Sequence, residues 1–202
     1  KWLAEMCPTS QREPLPADEQ VWAGRRKTFP SEDAKIWLDR MADRGWTAPE
    51  WPAHLGGGGL TPAENKILEQ EMRRLNCRKP LFDLGLMMLG AGILEHGTAE
   101  QQAEHIPPMV RGDIRWCQGF SEPGAGSDLV SLRTKAEDKG DHYLVNGSKL
   151  WTSFADRCDY IFCLVRTGPE GSKHKGISVL LIDLEWPGVS VEPIRLINDT
   201  SE

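Results

Sequence analysis

The sequence predicts an α+β chain of two domains, an all-helical domain over 1–112 followed by a small antiparallel β-barrel domain over 113–202. Three observations carry this. Residues up to 112 hold apolar positions at helical spacing behind two capping boxes. From Ile114 onward, short runs rich in Val, Ile, Tyr and Phe alternate with turn residues. And 202 residues suffice for a core in one or two domains.

The N-terminus, Lys1-Trp2-Leu3-Ala4-Glu5, reads as a helix already under way, with neither signal-peptide nor transit-peptide character. Ser31 caps a helix whose first turn holds Glu32 and Asp33, suiting the helix dipole. Ile36, Trp37 and Met41 form its apolar stripe and Gly45 stops it. Two prolines and the run Gly56 to Gly59 then exclude a helix. The run is read as a mobile connector in preference to a phosphate cradle.

Thr61-Pro62-Ala63-Glu64 is a capping box with proline at the first helical position. Its helix turns Ile67, Leu68, Met72 and Leu75 inward. The stretch 81–94 is nearly all apolar and small, interrupted by Asp83, and predicts a helix buried most of the way round. Its glycines mark close helix contacts or approach to a ligand. Leu86 to Leu89 fit an acyl pocket or plain core. Thr98-Ala99-Glu100-Gln101 is a second capping box, and Ile106-Pro107-Pro108 is expected to perturb the helix it starts. His96 and His105 have no carboxylate at ligand spacing and read as surface or cap residues.

The candidate strands are 114–120, 132–137, 142–145, 149–153, 160–166, 177–184 and 189–195. Asn146-Gly147 is the strongest hairpin signal. Residues 168–172 read as an exposed loop and Pro187-Gly188 as a turn.

Composition narrows the function classes. A net charge of −6 argues against a general nucleic-acid surface. No apolar run reaches the roughly 18 residues of a membrane span. Five cysteines, an odd number without CxxC spacing, argue against a disulfide framework or zinc site and for a reducing compartment. Most of the eight tryptophans are assigned to core filling.

The chain is organised around Trp116-Cys117-Gln118-Gly119-Phe120-Ser121-Glu122-Pro123-Gly124-Ala125-Gly126-Ser127-Asp128. It begins as a strand and breaks into a turn of small residues. Gly124 and Gly126 permit φ > 0 and close approach of a ligand. Successive N–H groups in such a turn make an anion site, so a phosphate-bearing or polar-ringed ligand is expected. Third-glycine spacing for a dinucleotide fold is absent, and so is the glycine bracket of a nucleophile elbow.

From Ser121 to Asp128 this stretch resembles the Ser/Thr-Glu-Pro-x-Gly/Ala-Gly-Ser-Asp signature of the acyl-CoA dehydrogenases, where the loop holds flavin and the CoA thioester. Asn146-Gly147-Ser148-Lys149-Leu150-Trp151-Thr152-Ser153 resembles the family's Asn-Gly-x-Lys-x-Trp-x-Ser/Thr, at the expected distance along the chain. The family also carries a short proline-glycine loop near Pro52 to Gly59.

The resemblance implies a helical domain, a β-barrel and then a C-terminal four-helix bundle outside this chain. The bundle supplies the catalytic base, completes the flavin site and drives tetramer formation. The chain ends at 198–202, where the last barrel strands are expected to begin, so the second domain is incomplete. The cofactor implied is FAD. The activity is αβ-desaturation of an acyl-CoA thioester in lipid degradation, with an electron-transfer flavoprotein as acceptor. A homo-oligomer (dimer or tetramer) or heteromer is implied, in the bacterial cytoplasm or the mitochondrial matrix.

Carried over residue by residue, Gln118, Gly119, Phe120, Ser121, Gly126 and Ser127 lie along the flavin. The Ser121 hydroxyl meets the pyrimidine end of its ring. Ser127 serves the pyrophosphate and the CoA arm, and so the substrate as well. Trp151 packs on the flavin face or edge, and the Ser153 hydroxyl meets N5 and O4. Strand alternation turns the Thr152 side chain away, leaving its backbone to make contact. Phe120 stands where many relatives have a smaller aliphatic residue, with Gly119 leaving room.

Other readings stay open. Ser121 and Ser127 fit simple turn-capping roles, and Trp151 fits barrel core. Glu122 and Asp128 are read as structural and turn acceptors rather than an acid–base pair, and no catalytic base is assigned. An acyl-CoA oxidase or flavin monooxygenase of the same fold, or a catalytically degenerate structural subunit, are the alternative functions.

Overall fold

The computed structural model describes residues 1–16, 20–169 and 171–197. Glu170 of the predicted 168–172 loop, and 198–202 with the expected start of the last barrel strands, lie outside the described residues. The chain separates into two compact units, Lys1–Arg115 and Trp116–Glu202.

The first unit is helical: α1 (Trp2–Met6), α2 (Glu32–Asp43), α3 (Pro62–Arg74), α4 (Gly90–His96) and α5 (Ala99–Arg111). Local chemistry sets their starts. Ser31 Oγ accepts from the Ala34 N–H at 3.2 Å. Both capping boxes form: Thr61 and Glu64 exchange bonds, as do Thr98 and Gln101. Trp37, Met41 and Leu68 pack with Leu3 and Cys7 in one core cluster, against which Met72 and Leu75 lie. Ile67, expected on the inner face of α3, is instead 59% exposed. In α2, Leu38 is buried beside Trp37.

Three helical expectations are corrected. Helix α5 runs straight through Pro107 and Pro108 to a left-handed Gly112. Residues 103 and 104, whose carbonyls lose their N–H donors, are exposed, so water can replace the missing bonds. Ile106, Met109 and Val110, all fully buried, hold the helix in place. His105 on the same helix is buried, not a surface residue, and burial pushes its imidazole pKa down.

The predicted helix over 81–94 begins later and is not buried all round. A π-helical turn (Gly85–Leu89) leads into α4, and the Asp83 carboxylate accepts from the Gly85 N–H at 2.7 Å. Met87 and Met88 are exposed.

The glycine run is packed into the unit rather than left as an open connector. The N–H groups of Gly57, Gly58, Gly59 and Leu60 donate to the carbonyls of Pro52, Ala48, Trp51 and Pro49. Those donors are spent internally, which removes the phosphate-cradle alternative.

The second unit holds a five-stranded sheet: β1 (Trp116–Gly119), β2 (Lys135–Asp138), β3 (Tyr143–Asn146), β4 (Tyr160–Arg166) and β5 (Ile177–Asp183). Strand β4 is its axis. Along one side β5 pairs antiparallel over the full length of β4. Along the other, β1 pairs parallel from Trp116↔Tyr160 to Gly119↔Cys163, and β2 continues that side with Lys135 opposite Arg166, also parallel. The sheet is therefore mixed, where the sequence pointed to an antiparallel barrel. The chain between β1 and β4 is long enough for the crossover a parallel pair requires.

Two of the expected strands do not form. Residues 149–153 run as irregular chain into a 3₁₀ turn at Ala155–Arg157, and 189–195 contribute only an isolated bridge at Arg195. The hairpin turn also lies elsewhere. It falls between β2 and β3, closed by Lys139 N–H donating to the His142 carbonyl. Asn146 ends β3, and Gly147 presses against Thr134, where a β-carbon would stand 2.3 Å from Oγ1.

All five cysteines are free thiols. Cys117 and Cys163 sit in the sheet core with Val165, and Cys158 packs against them. Trp37 and Trp116 are fully buried, while Trp151 and Trp186 are exposed.

Candidate functional site

The sheet ends β1 at Gly119 and the chain then doubles back. Glu122 N–H donates to the Ala125 carbonyl at 2.8 Å and Ala125 N–H returns the bond at 3.1 Å, closing a tight turn over Pro123 and Gly124. Phe120 packs edge-on against Phe162, ring centroids 5.8 Å apart. Gly119 does not leave room beside it: Ile161 Cδ1 would lie 2.4 Å from a β-carbon there.

The second stretch is laid directly against the first. Leu150 N–H donates to the Ser121 carbonyl at 2.9 Å. Lys149 Nζ reaches Glu122 Oε1 at 2.8 Å and the Phe120 carbonyl at 3.2 Å. Both side chains of this ion pair are buried, at 8% and 7% exposure. The Glu122 carboxylate also accepts from the N–H groups of Arg133 (2.6 Å) and Thr134 (2.9 Å). Burial pushes the Glu122 pKa up, but the Lys149 ammonium, the Thr134 side chain and the two N–H groups outweigh it and hold it at about 2. Glu122 is thus held ionised near neutral pH by its partners and is unsuited to proton transfer there.

The remaining polar groups behave in the opposite way. The hydroxyls of Ser121, Ser127, Thr152 and Ser153 make no hydrogen bond among the described residues, and neither do the N–H groups of Gly124, Gly126 and Ser127. Ser121 and Ser127 therefore do not cap their own turn, the simpler role open to them. Gly124 and Gly126 keep φ out of the positive range, against expectation, and a β-carbon at either would meet nothing within 4 Å. Neither backbone strain nor crowding inside this chain calls for glycine there.

Trp151 is not barrel core. Its φ is +60° and it is 65% exposed. Phe154 also has positive φ, at +64°. The backbone there is not a strand, so alternation does not orient Thr152. Its carbonyl accepts from Ala155 N–H at 3.2 Å, and Ser153 N–H donates to the Trp151 carbonyl at 3.1 Å. The role of Glu122 and Lys149 in joining the two stretches was not legible in the sequence beyond their presence in the signatures. A buried carboxylate and a buried ammonium fixed 27 positions apart were the signal that only coordinates resolve.

This geometry meets the family models at the same residues. Residues 4–113 match the acyl-CoA dehydrogenase N-terminal domain, and residues 117–198 match the acyl-CoA dehydrogenase middle domain. The chain belongs to the acyl-CoA dehydrogenase family. Among its relatives, acyl-CoA dehydrogenase FadE34 of Mycobacterium tuberculosis is 45% identical over 161 residues, 80% of this chain and 22% of that protein. Acyl-CoA dehydrogenase IpdE1 of the same organism is 39% identical over 171 residues, 85% of this chain and 44% of its own length. Among solved structures, the Tcur3481-Tcur3483 steroid ACAD superposes with a TM-score of 0.71 at 34% identity, over 93% of this chain and 48% of that one. The ChsE4-ChsE5 complex of Mycobacterium tuberculosis gives 0.70 at 32% identity, over 99% and 48%. The chain spans less than half the length of these relatives.

The residues of the second unit fit a flavin by their own chemistry. Unspent hydroxyls and N–H groups, an open glycine backbone and an exposed indole stand on the two matched stretches. No helix among the described residues is long and apolar enough to cross a membrane, and no three His, Cys, Asp or Glu among them group as metal ligands.

Proposed function

We propose that the whole protein is an FAD-dependent acyl-CoA dehydrogenase that desaturates an acyl-CoA thioester between its α and β carbons. The observation that carries this reading is the unspent set of donors on the two stretches, Ser121, Ser127 and Ser153 beside the open Gly124 and Gly126. FAD, when bound, accepts the electrons that leave the thioester. Ser121 and Ser153 would hold the polar edge of the ring through their hydroxyls, a donor set that favours an electron-rich ring. Gly126 and Ser127 offer N–H and hydroxyl groups to phosphate oxygens. The exposed Trp151 indole would offer an apolar face to the ring and help to exclude water. Glu122 does not take the part of the base. It is committed to Lys149, and the family resemblance implies a base from the C-terminal bundle.

The test is an absorption spectrum of the whole protein before and after anaerobic addition of acyl-CoA. Flavin bands that bleach on addition support the reading. A purified protein without flavin bands overturns it.

A heteromeric assembly is favoured over a homotetramer by one observation: two of the similar solved structures are named for two proteins each. In such an assembly this chain either carries the flavin chemistry or serves a partner as a structural subunit, and a flavin count per heteromer separates these. Rapid reoxidation of the reduced flavin by O₂ with peroxide release would place the protein with the oxidases instead. An electron-transfer flavoprotein is the acceptor under the dehydrogenase reading.

A further inference from the structure

We infer that Lys149 and Glu122 are positioning residues for the flavin, acting through the Phe120–Ser121 backbone rather than by touching the ring. The inference rests on the FAD reading above. Its basis is the path of bonds between the two stretches. Lys149 Nζ sits between Glu122 Oε1 (2.8 Å) and the Phe120 carbonyl (3.2 Å). One residue further on, Leu150 N–H holds the Ser121 carbonyl at 2.9 Å. The next residue is Trp151. The Lys149 ammonium and the Leu150 N–H together hold the Phe120–Ser121 backbone against the stretch that carries Trp151.

The carboxylate end of the pair is anchored as firmly. Glu122 takes the Arg133 and Thr134 N–H groups at 2.6 and 2.9 Å, which ties the turn to the start of β2. Both side chains are out of solvent, so the pair is a stiff link rather than a surface contact. A buried ion pair is weak grounds for stability, because removing two charges from water offsets much of their attraction. Its value here is geometric. Ligand groups must be held to within about half an ångström to work, and this link fixes two of them at once.

The test separates geometry from stability. Lys149→Met keeps an unbranched apolar stem as far as the ε position and removes the ammonium, leaving Glu122 buried without its cation. The double variant Glu122→Gln with Lys149→Met removes both charges. Under a positioning role, Lys149→Met weakens flavin binding in the whole protein at least tenfold and blurs the vibrational structure of the visible flavin band. The double variant recovers melting temperature but not flavin affinity or band shape, since the bond to the Phe120 carbonyl is still missing. Flavin affinity and band shape that follow melting temperature in both variants would overturn the inference and leave the pair purely structural. So would wild-type flavin properties in Lys149→Met. A wild-type protein without flavin is a different result, and it sinks the functional reading itself.

Discussion

The Trp51 indole occupies the space beside Gly90 so closely that a β-carbon on Gly90 would lie 2.0 Å from the ring. The ring and the start of α4 are therefore fitted to one another, and the proline-glycine loop that carries Trp51 is held to the helical unit. Gly90→Ala sets two effects against each other. Alanine favours a helix by about 1 kcal/mol over glycine, while overpacking in a fitted core costs roughly 1–3 kcal/mol. Ring atoms cannot yield as a flexible chain end does, so the packing term wins. Chemical denaturation is expected to show net destabilisation of up to about 2 kcal/mol; a gain in stability would mean that Trp51 moves freely.

Thr61→Ala and Thr98→Ala each remove a cap whose hydroxyl accepts a helix N–H at 3.3 Å. Each is expected to lose about 1 kcal/mol. The two caps start different helices, so the double variant should lose about the sum. Thermal unfolding followed by circular dichroism checks both values.

Glu122 gives the second unit a defined acid sensitivity. Its pKa is lowered on folding, from 4.5 to about 2, so the folded state binds fewer protons than the unfolded one in that window. Its stabilising contribution is complete above pH 4.5 and is lost as pH falls toward about 2. In Glu122→Gln the stability between these limits should fall less steeply with acid. An unchanged acid slope would mean that other carboxylates dominate.

Ser121→Ala and Ser127→Ala remove hydroxyls that make no bond within the described residues. The unfolding free energy of the flavin-free protein should stay within about 0.5 kcal/mol of wild type. Under the proposed function, Ser121→Ala slows flavin reduction and Ser127→Ala raises KM, each by about tenfold, the size of one lost hydrogen bond. Rapid-mixing reduction and steady-state kinetics read these separately.

Trp151 holds a left-handed backbone, φ +60°, with most of its ring exposed. Such a conformation costs a non-glycine residue about 1–2 kcal/mol. Trp151→Gly should therefore stabilise the flavin-free protein while weakening flavin binding. Parallel denaturation and flavin-binding measurements test this, and a loss of stability would show the indole to be part of the core after all.

Much of the helical unit was legible because its signals are local. A hydroxyl and a carboxamide or carboxylate three residues apart cap a helix wherever the chain goes, and Thr61 with Glu64 and Thr98 with Gln101 do so. Strand β4 was read to the residue, because its apolar run is bounded by polar turns on both sides. Pro107 and Pro108 misled for the same reason that local rules work elsewhere. Their disfavour for helix is real, but the burial of Ile106, Met109 and Val110 is larger.

The candidate site divides in the same way. The sequence by itself determined which residues offer donors, and the two signatures named Ser121, Ser127, Trp151 and Ser153 together. What it did not determine was how the stretches meet. Asn146-Gly147 reads as a hairpin turn by local preference, yet the hairpin closes at Lys139–His142 because β2 pairs with β3. Gly147 is needed instead where Thr134 crowds it. Only the tertiary structure decided that Glu122 and Lys149 are partners and that Trp151 faces outward. The reason is physical. Caps and periodicity depend on neighbours a few residues away, whereas a buried ion pair and a parallel strand depend on which distant segments share one core.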